Sequence, residues 1–125
     1  MQSLSHVRFL VTDLAPEVAF YRDTIGWKHV VDVPGVYAEF DTGVSRLAFY
    51  RADLMAEVVG AASAAHGRDV VLCLRVADVD AEAARLRARG VIIMREPHDQ
   101  KAWYQRVAHV ADAAGRILEL WSPLH

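Results

Sequence analysis

A chain that writes one half-unit twice has few ways to fold, and this chain does so. Leu4 to Val11 is an apolar run of strand length, and Thr12-Asp13-Leu14 leads to Pro16, which suits the first turn of a helix. That helix carries Val18, Phe20, Tyr21 and Ile25 and is stopped by Gly26. The pattern returns 65 residues later, measured from Asp13 to Asp78. Val70 to Val76 is again strand-like, Ala77-Asp78-Val79 follows, and Asp80 supplies an N-cap for a helix that presents Ala83 and Leu86 and ends at Gly90.

Three strand candidates follow each helix. In the first half they are Trp27 to Val33, Val36 to Phe40 and Ser45 to Arg51, separated by Pro34-Gly35 and Asp41-Thr42-Gly43. In the second they are Val91 to Glu96, Trp103 to Ala111 and Arg116 to Trp121, separated by Pro97 and Asp112-Ala113-Ala114-Gly115. Each half therefore predicts β-α-β-β-β, an internal duplication within one domain of residues 1–125. The first module covers about residues 4–51 and the second about 69–122. The segment between, about 52–68, holds a short Ala-rich helix within Asp53 to Ala65.

A four-stranded sheet with one helix covers only one of its faces, so the other face must find a partner or line a cavity. The expected fold is α+β, with two tandem βαβββ modules forming a curved sheet around a cleft. A chain of 125 residues has room for a core and a cleft but not for a large internal chamber.

Composition narrows the partners. With 14 Lys and Arg against 16 Asp and Glu, the chain lacks the positive field that nucleic acids and anionic membranes require. No apolar run approaches the roughly 18 residues of a membrane span, and the opening residues lack the form of a signal peptide. The single cysteine, Cys73, excludes an intrachain disulfide and suits a reducing compartment, so a cytoplasmic protein is expected. No Ser/His/Asp arrangement, Walker sequence or Gly-rich dinucleotide fingerprint is present.

Strand alternation then selects the residues that face the cleft. His6 and Arg8 share one face of the first strand, and Glu119 and Trp121 share one face of the last. Trp103, Gln105 and His109 alternate along the preceding strand, while Arg46, Tyr50 and Arg75 fall on inward faces of their own strands. Flat aromatic area beside arginines suits a small planar or anionic molecule, which makes Arg8, Arg46, Tyr50, Arg75, Trp103, Gln105 and Trp121 the candidate ligand-binding residues. Glu39 is expected to form a solvated cross-strand pair with Arg46, unless a one-residue change of register turns it inward.

The chain also resembles a known family. His6, Val11-Thr12-Asp13-Leu14, Phe20-Tyr21-Arg22-Asp23 and Ile25-Gly26-Trp27 are similar to the opening of a vicinal-oxygen-chelate protein. That superfamily holds glyoxalases, bleomycin-resistance proteins and extradiol dioxygenases. Glu96-Pro97, the run Trp103 to Ala108, and the ending Asp112 to Leu120 extend the resemblance over almost the whole chain. It departs at Ala113-Ala114, where the family carries Pro-Asp, and at Tyr104, where the family carries Gly.

The resemblance implies a metal question. Metal-using members place a donor on the first and last strand of each module, and two of those four positions match here, as His6 and Glu119. The other two fall on Val71 and approximately on Ala48, neither of which can donate to a metal. His109, ten residues before Glu119, is a candidate third donor or general base. Two readings follow. One is a bleomycin-resistance-like binder that sequesters a drug or toxin without a cofactor. The other is a lyase, isomerase or dioxygenase using divalent Fe, Mn, Ni or Zn on His6 and Glu119. Relatives commonly form homodimers, some by exchanging modules, so a homodimer is implied in either case.

Overall fold

The computed structural model describes residues 2–60, 69–113 and 115–125. Its elements are β1 (Ser3–Val11), α1 (Ala15–Ala19), a π-helical turn (Phe20–Ile25), β2 (Lys28–Val33), β3 (Tyr37–Asp41), β4 (Arg46–Arg51) and α2 (Ala52–Val59). There follow β5 (Val70–Arg75), α3 (Val79–Ala88), β6 (Ile93–Gln100), a 3-10 turn (Lys101–Trp103), β7 (Gln105–Ala111) and β8 (Ile117–Pro123). The connecting helix is α2. The expected continuation over 61–65 lies outside the described residues, as does Ala114 in the turn before β8.

The chain divides into two compact units. One spans His6–Val70, and the other joins Val71–His125 to the N-terminal segment ending at Ser5. The first has strand order β2-β3-β4-β1 and the second β5-β8-β7-β6. In each, the first strand of the module pairs parallel with its last, and the other pairs are antiparallel. The βαβββ module of an α+β fold is therefore present twice.

In the first unit, Phe9, Val11, Leu47 and Phe49 point to the helix side with Ala38 and Phe40. The helix contributes Leu14, Val18 and Tyr21 to that cluster. The expected α-helix widens after Ala19, so that the amides of Gly26 and Trp27 both donate to the Tyr21 carbonyl at 3.0 Å. Gly26, at φ 85°, turns the chain into β2 and leaves the Tyr21 ring stacked on Trp27 at 5.5 Å.

The second unit packs Val79 and Ala83 of α3 against Ala108, Val110 and Leu120. The helix is capped two residues earlier than expected: Asp78 Oδ1 accepts from the Ala81 amide at 3.0 Å. The reason is Val79, which is buried and belongs in the first turn. Asp80 is left on the surface, where it receives Arg106 at 2.8 and 3.0 Å. Strand β6 does not stop at Pro97 but runs to Gln100. It lies at the end of its strand order and its register shifts between Arg95 and His98, the kind of place where a sheet accepts proline. Strand β7 begins at Gln105, because Tyr104 sits in the left-handed region at φ 55° and ends the preceding turn. Trp103 therefore lies in that turn, and the strand alternation used to orient it does not apply.

Candidate functional site

The face of the first unit opposite its core carries the polar residues. His6 pairs in register with Arg46, Arg8 with Ala48, and Ala48 in turn with Glu39, which places His6, Arg8, Arg46, Tyr50, Tyr37 and Glu39 on one side of the sheet. Glu39 is the centre of the group. Its Oε1 accepts from the Tyr37 hydroxyl at 2.5 Å and from His6 Nε2 at 3.1 Å, and its Oε2 accepts from Arg46 Nη1 at 2.8 Å.

This corrects the expectation for Glu39. The pair with Arg46 forms, but Glu39 is only 8% exposed rather than solvated. Ala38 and Phe40, both fully buried, claim the helix side of β3, so alternation carries Glu39 to the face of His6. Burial pushes the carboxyl pKa up. The hydrogen bonds from His6, Tyr37 and Arg46, with the charge of His6, outweigh burial and hold it at about 2, below its ordinary 4.5.

Arg8 is buried beside this group. Its guanidinium lies over the rings of Tyr37 and Tyr50 at 5.7 and 5.8 Å, and Nη1 donates to Met55 Sδ at 3.8 Å. The arrangement gives a flat cation–aromatic wall next to Arg46, whose side chain is 39% exposed. Tyr37 and Met55 were not among the sequence candidates. Tyr37 was available from its alternation with Glu39, whereas nothing in the order of residues points to Met55.

In the second unit, His109 lies opposite Glu119, and Val107 opposite Trp121. His109 Nε2 donates to Glu119 Oε1 at 3.0 Å, and both residues are sealed from solvent, at 0% and 1% exposure. Among the described residues, Nδ1 of His109 makes no hydrogen bond. Gln105 begins the same face of β7, and Trp121 Nε1 donates to Ser5 Oγ at 2.9 Å. Arg75, beyond Cys73 on β5, stacks over Trp121 at 5.0 Å.

Register makes the duplication explicit. Val71 stands opposite Ile117 as His6 stands opposite Arg46, and Cys73 stands opposite Glu119 as Arg8 stands opposite Ala48. Position for position, Val71 answers to His6, Ala48 to Glu119, and Glu39 to His109. Each unit thus holds one histidine–carboxylate pair, fully buried only in the second, and from different strands: β1 and β3 in the first, β7 and β8 in the second.

Two βαβββ modules, each with a polar face opposite its core, define a class of paired-module α+β protein. The chain belongs to the Glyoxalase/Bleomycin resistance protein/Dioxygenase superfamily, whose model matches residues 3–120. It is 32% identical to an uncharacterized protein of Bacillus subtilis (strain 168), YraH, over 97% of this chain and 98% of that one. Among solved structures it is similar to a variant of Streptomyces coelicolor methylmalonyl-CoA epimerase in complex with 2-nitronate-propionyl-CoA. The two are 27% identical, with a TM-score of 0.72 over 98% of this chain and 97% of that one. A likeness in fold extends to methylmalonyl-CoA epimerase from Mycobacterium tuberculosis, 24% identical with a TM-score of 0.72 over 98% of this chain and 88% of that one.

Members of the superfamily often use a divalent metal. Among the described residues, no group of three or more His, Cys, Asp or Glu could hold an ion. In the first unit Ala48 occupies the duplicate of the Glu119 position, and His6 Nε2 is already bound to Glu39. In the second, Val71 occupies the duplicate of the His6 position, and Glu119 is taken by His109. Among the described residues, neither unit presents a metal donor set that fits.

Proposed function

We propose that this protein binds a small planar organic anion and sequesters it, in the way bleomycin-resistance-like relatives hold a drug or toxin. The observation that carries this reading is the group built on Glu39. A carboxylate held at about 2 has little tendency to take a proton at neutral pH, so it serves poorly as a general base. It serves well as a fixed anion that aims Arg46. One guanidinium nitrogen of Arg46 is committed to Glu39, and the remaining N–H donors are available to a ligand carboxylate or nitronate in bidentate fashion. Arg8, Tyr37 and Tyr50 supply the wall along which a flat ligand body lies. The similar epimerase variant is in complex with 2-nitronate-propionyl-CoA, a larger ligand that carries a nitronate anion.

The test is calorimetric titration of the full chain with aromatic carboxylates and small nitronates, followed by mass spectrometry of the recovered ligand. The expected result is saturable binding with the ligand returned unchanged, weakened about 10-fold or more by Arg46→Gln, as loss of a charge-assisted hydrogen bond entails. Affinity indifferent to Arg46→Gln would remove the site from consideration, and steady conversion of the ligand would replace sequestration by catalysis.

The second reading, an enzyme of the superfamily, is favoured by the 27% identity to an epimerase. Metal analysis after incubation with Fe, Mn, Ni or Zn separates the two. Turnover that depends on retained metal supports the enzyme, and ligand returned unchanged supports the binder.

A further inference from the structure

The face of the second unit holds a cation that the reading above does not use. Arg75 is exposed, its guanidinium carbon lies over the buried indole of Trp121 at 5.0 Å from the ring centre, and no carboxylate among the described residues pairs with it. A cation–aromatic contact holds a guanidinium without supplying acceptors for its N–H donors. An arginine with no carboxylate partner among the described residues, fixed by an aromatic platform, is therefore pre-organised for an external anion.

A concavity of about 390 Å³ opens beside it. Val76, Ala77 and Pro123 give it small apolar walls, and the hydroxyls of Ser3 and Ser122 add two donors. His125 also lines it, and among the described residues no acidic side chain does. Its size and its mixture of apolar wall with few polar groups are those of a small-molecule site. The platform is anchored in turn: Trp121 Nε1 donates to Ser5 Oγ at 2.9 Å, and Ser5 Oγ donates to the Cys73 carbonyl at 3.2 Å. The Val76 amide, next to Arg75, donates to the Trp121 carbonyl at 3.0 Å.

We propose that Arg75, held on Trp121, is the anchor of a second binding site, which takes a small organic carboxylate with an apolar body. The two coplanar oxygens of a carboxylate match the guanidinium fork, and the apolar walls favour a ligand carrying carbon over a bare oxyanion. The site belongs to the second unit alone and stands whether or not the face around Glu39 binds a ligand.

Benzoate is the probe. It is titrated into the ¹⁵N-labelled full chain while the Trp121 indole N–H resonance, assigned by Trp121→Phe, is followed beside calorimetry. The expected result is a saturable shift of that resonance, weakened at least 10-fold in Arg75→Gln and at least about 3-fold in Arg75→Lys, which keeps the charge but loses the fork. Ser122→Ala is expected to weaken it about 3-fold, and the surface control Arg85→Gln to leave it unchanged. A Trp121 resonance that does not respond to benzoate, or responds equally in Arg75→Gln, overturns the site. So does inorganic phosphate binding as tightly as benzoate, because the apolar walls would then have no part in recognition. Arg46→Gln is not expected to move the Trp121 shift, which separates failure here from failure of the first-unit reading.

Discussion

The Glu39 group makes a quantitative prediction about acid stability. Glu39 ionises at about 2 in the folded protein against an ordinary 4.5. A folded-state value below the unfolded one means the group stabilises the fold above about pH 4.5, and that stabilisation is lost as pH falls towards 2. At roughly 1.4 kcal/mol per pH unit, the difference amounts to about 3 kcal/mol. About 2 kcal/mol of this is lost between about pH 6 and about pH 3, and the rest below that.

Urea unfolding of the native chain and of Glu39→Gln, measured at several pH values across that interval, reads this directly. The variant keeps the shape of the side chain but has no charge to lose. It is expected to be less stable at neutral pH, because Arg46 and His6 lose a buried anionic partner. The informative quantity is how the gap between the two proteins changes with pH, since all other carboxylates contribute equally to both. The gap should narrow by about 2 kcal/mol on going down to about pH 3. A gap constant to within about 0.5 kcal/mol would refute the account of Glu39 as a carboxylate stabilised by its three donors.

Three further outcomes follow from the packing and the caps. Phe40→Ala, at a fully buried position among Phe49, Tyr21 and Leu14, should cost about 3–5 kcal/mol in denaturant unfolding. Asp78→Ala removes the hydrogen bond to the Ala81 amide and should cost about 1 kcal/mol, whereas Asp80→Ala, on an exposed ion pair with Arg106, should cost less than that. Tyr104→Gly relieves a left-handed residue that is 78% exposed, and should gain about 0.5–1 kcal/mol, seen as a thermal midpoint raised by a few degrees.

The duplicated element order was legible from the chain because it depends on local periodicity and turn residues, and those recur after 65 residues. Errors gathered where a residue had two admissible roles. Asp78 and Asp80 are both sound N-caps, and burial of Val79 decides between them. Pro97 reads as a strand end, yet an irregular strand at the end of its sheet order accommodates it. Tyr104 in a left-handed conformation cannot be foreseen from a residue that seldom adopts one, and it removes Trp103 from the strand.

The site was legible only in part, for a different reason. Faces follow from alternation, so Arg8, Arg46 and Tyr50 were placed on the side of His6 where they are found. Partners do not follow from it. Glu39 reaches its state through donors from three residues on three strands, and a charged residue judged by its own polarity is assigned to solvent. The same limit hid the burial of His109 on Glu119, a contact set by strand pairing between residues whose types alone are equally at home in water.

Strand β1 has a bearing on how the protein is made. Its residues up to Ser5 belong with the unit that ends at His125, while its residues from His6 belong with the other. On a ribosome, the stretch His6–Val70 can emerge and settle into its own core while translation continues. The second unit cannot do the same. Its Ser5 is synthesised 116 positions before its partner Trp121, so that unit closes only after Trp121 has left the tunnel and returned to Ser5. A ribosome stalled before Trp121 emerges would hold a chain whose Ser5 still awaits that partner.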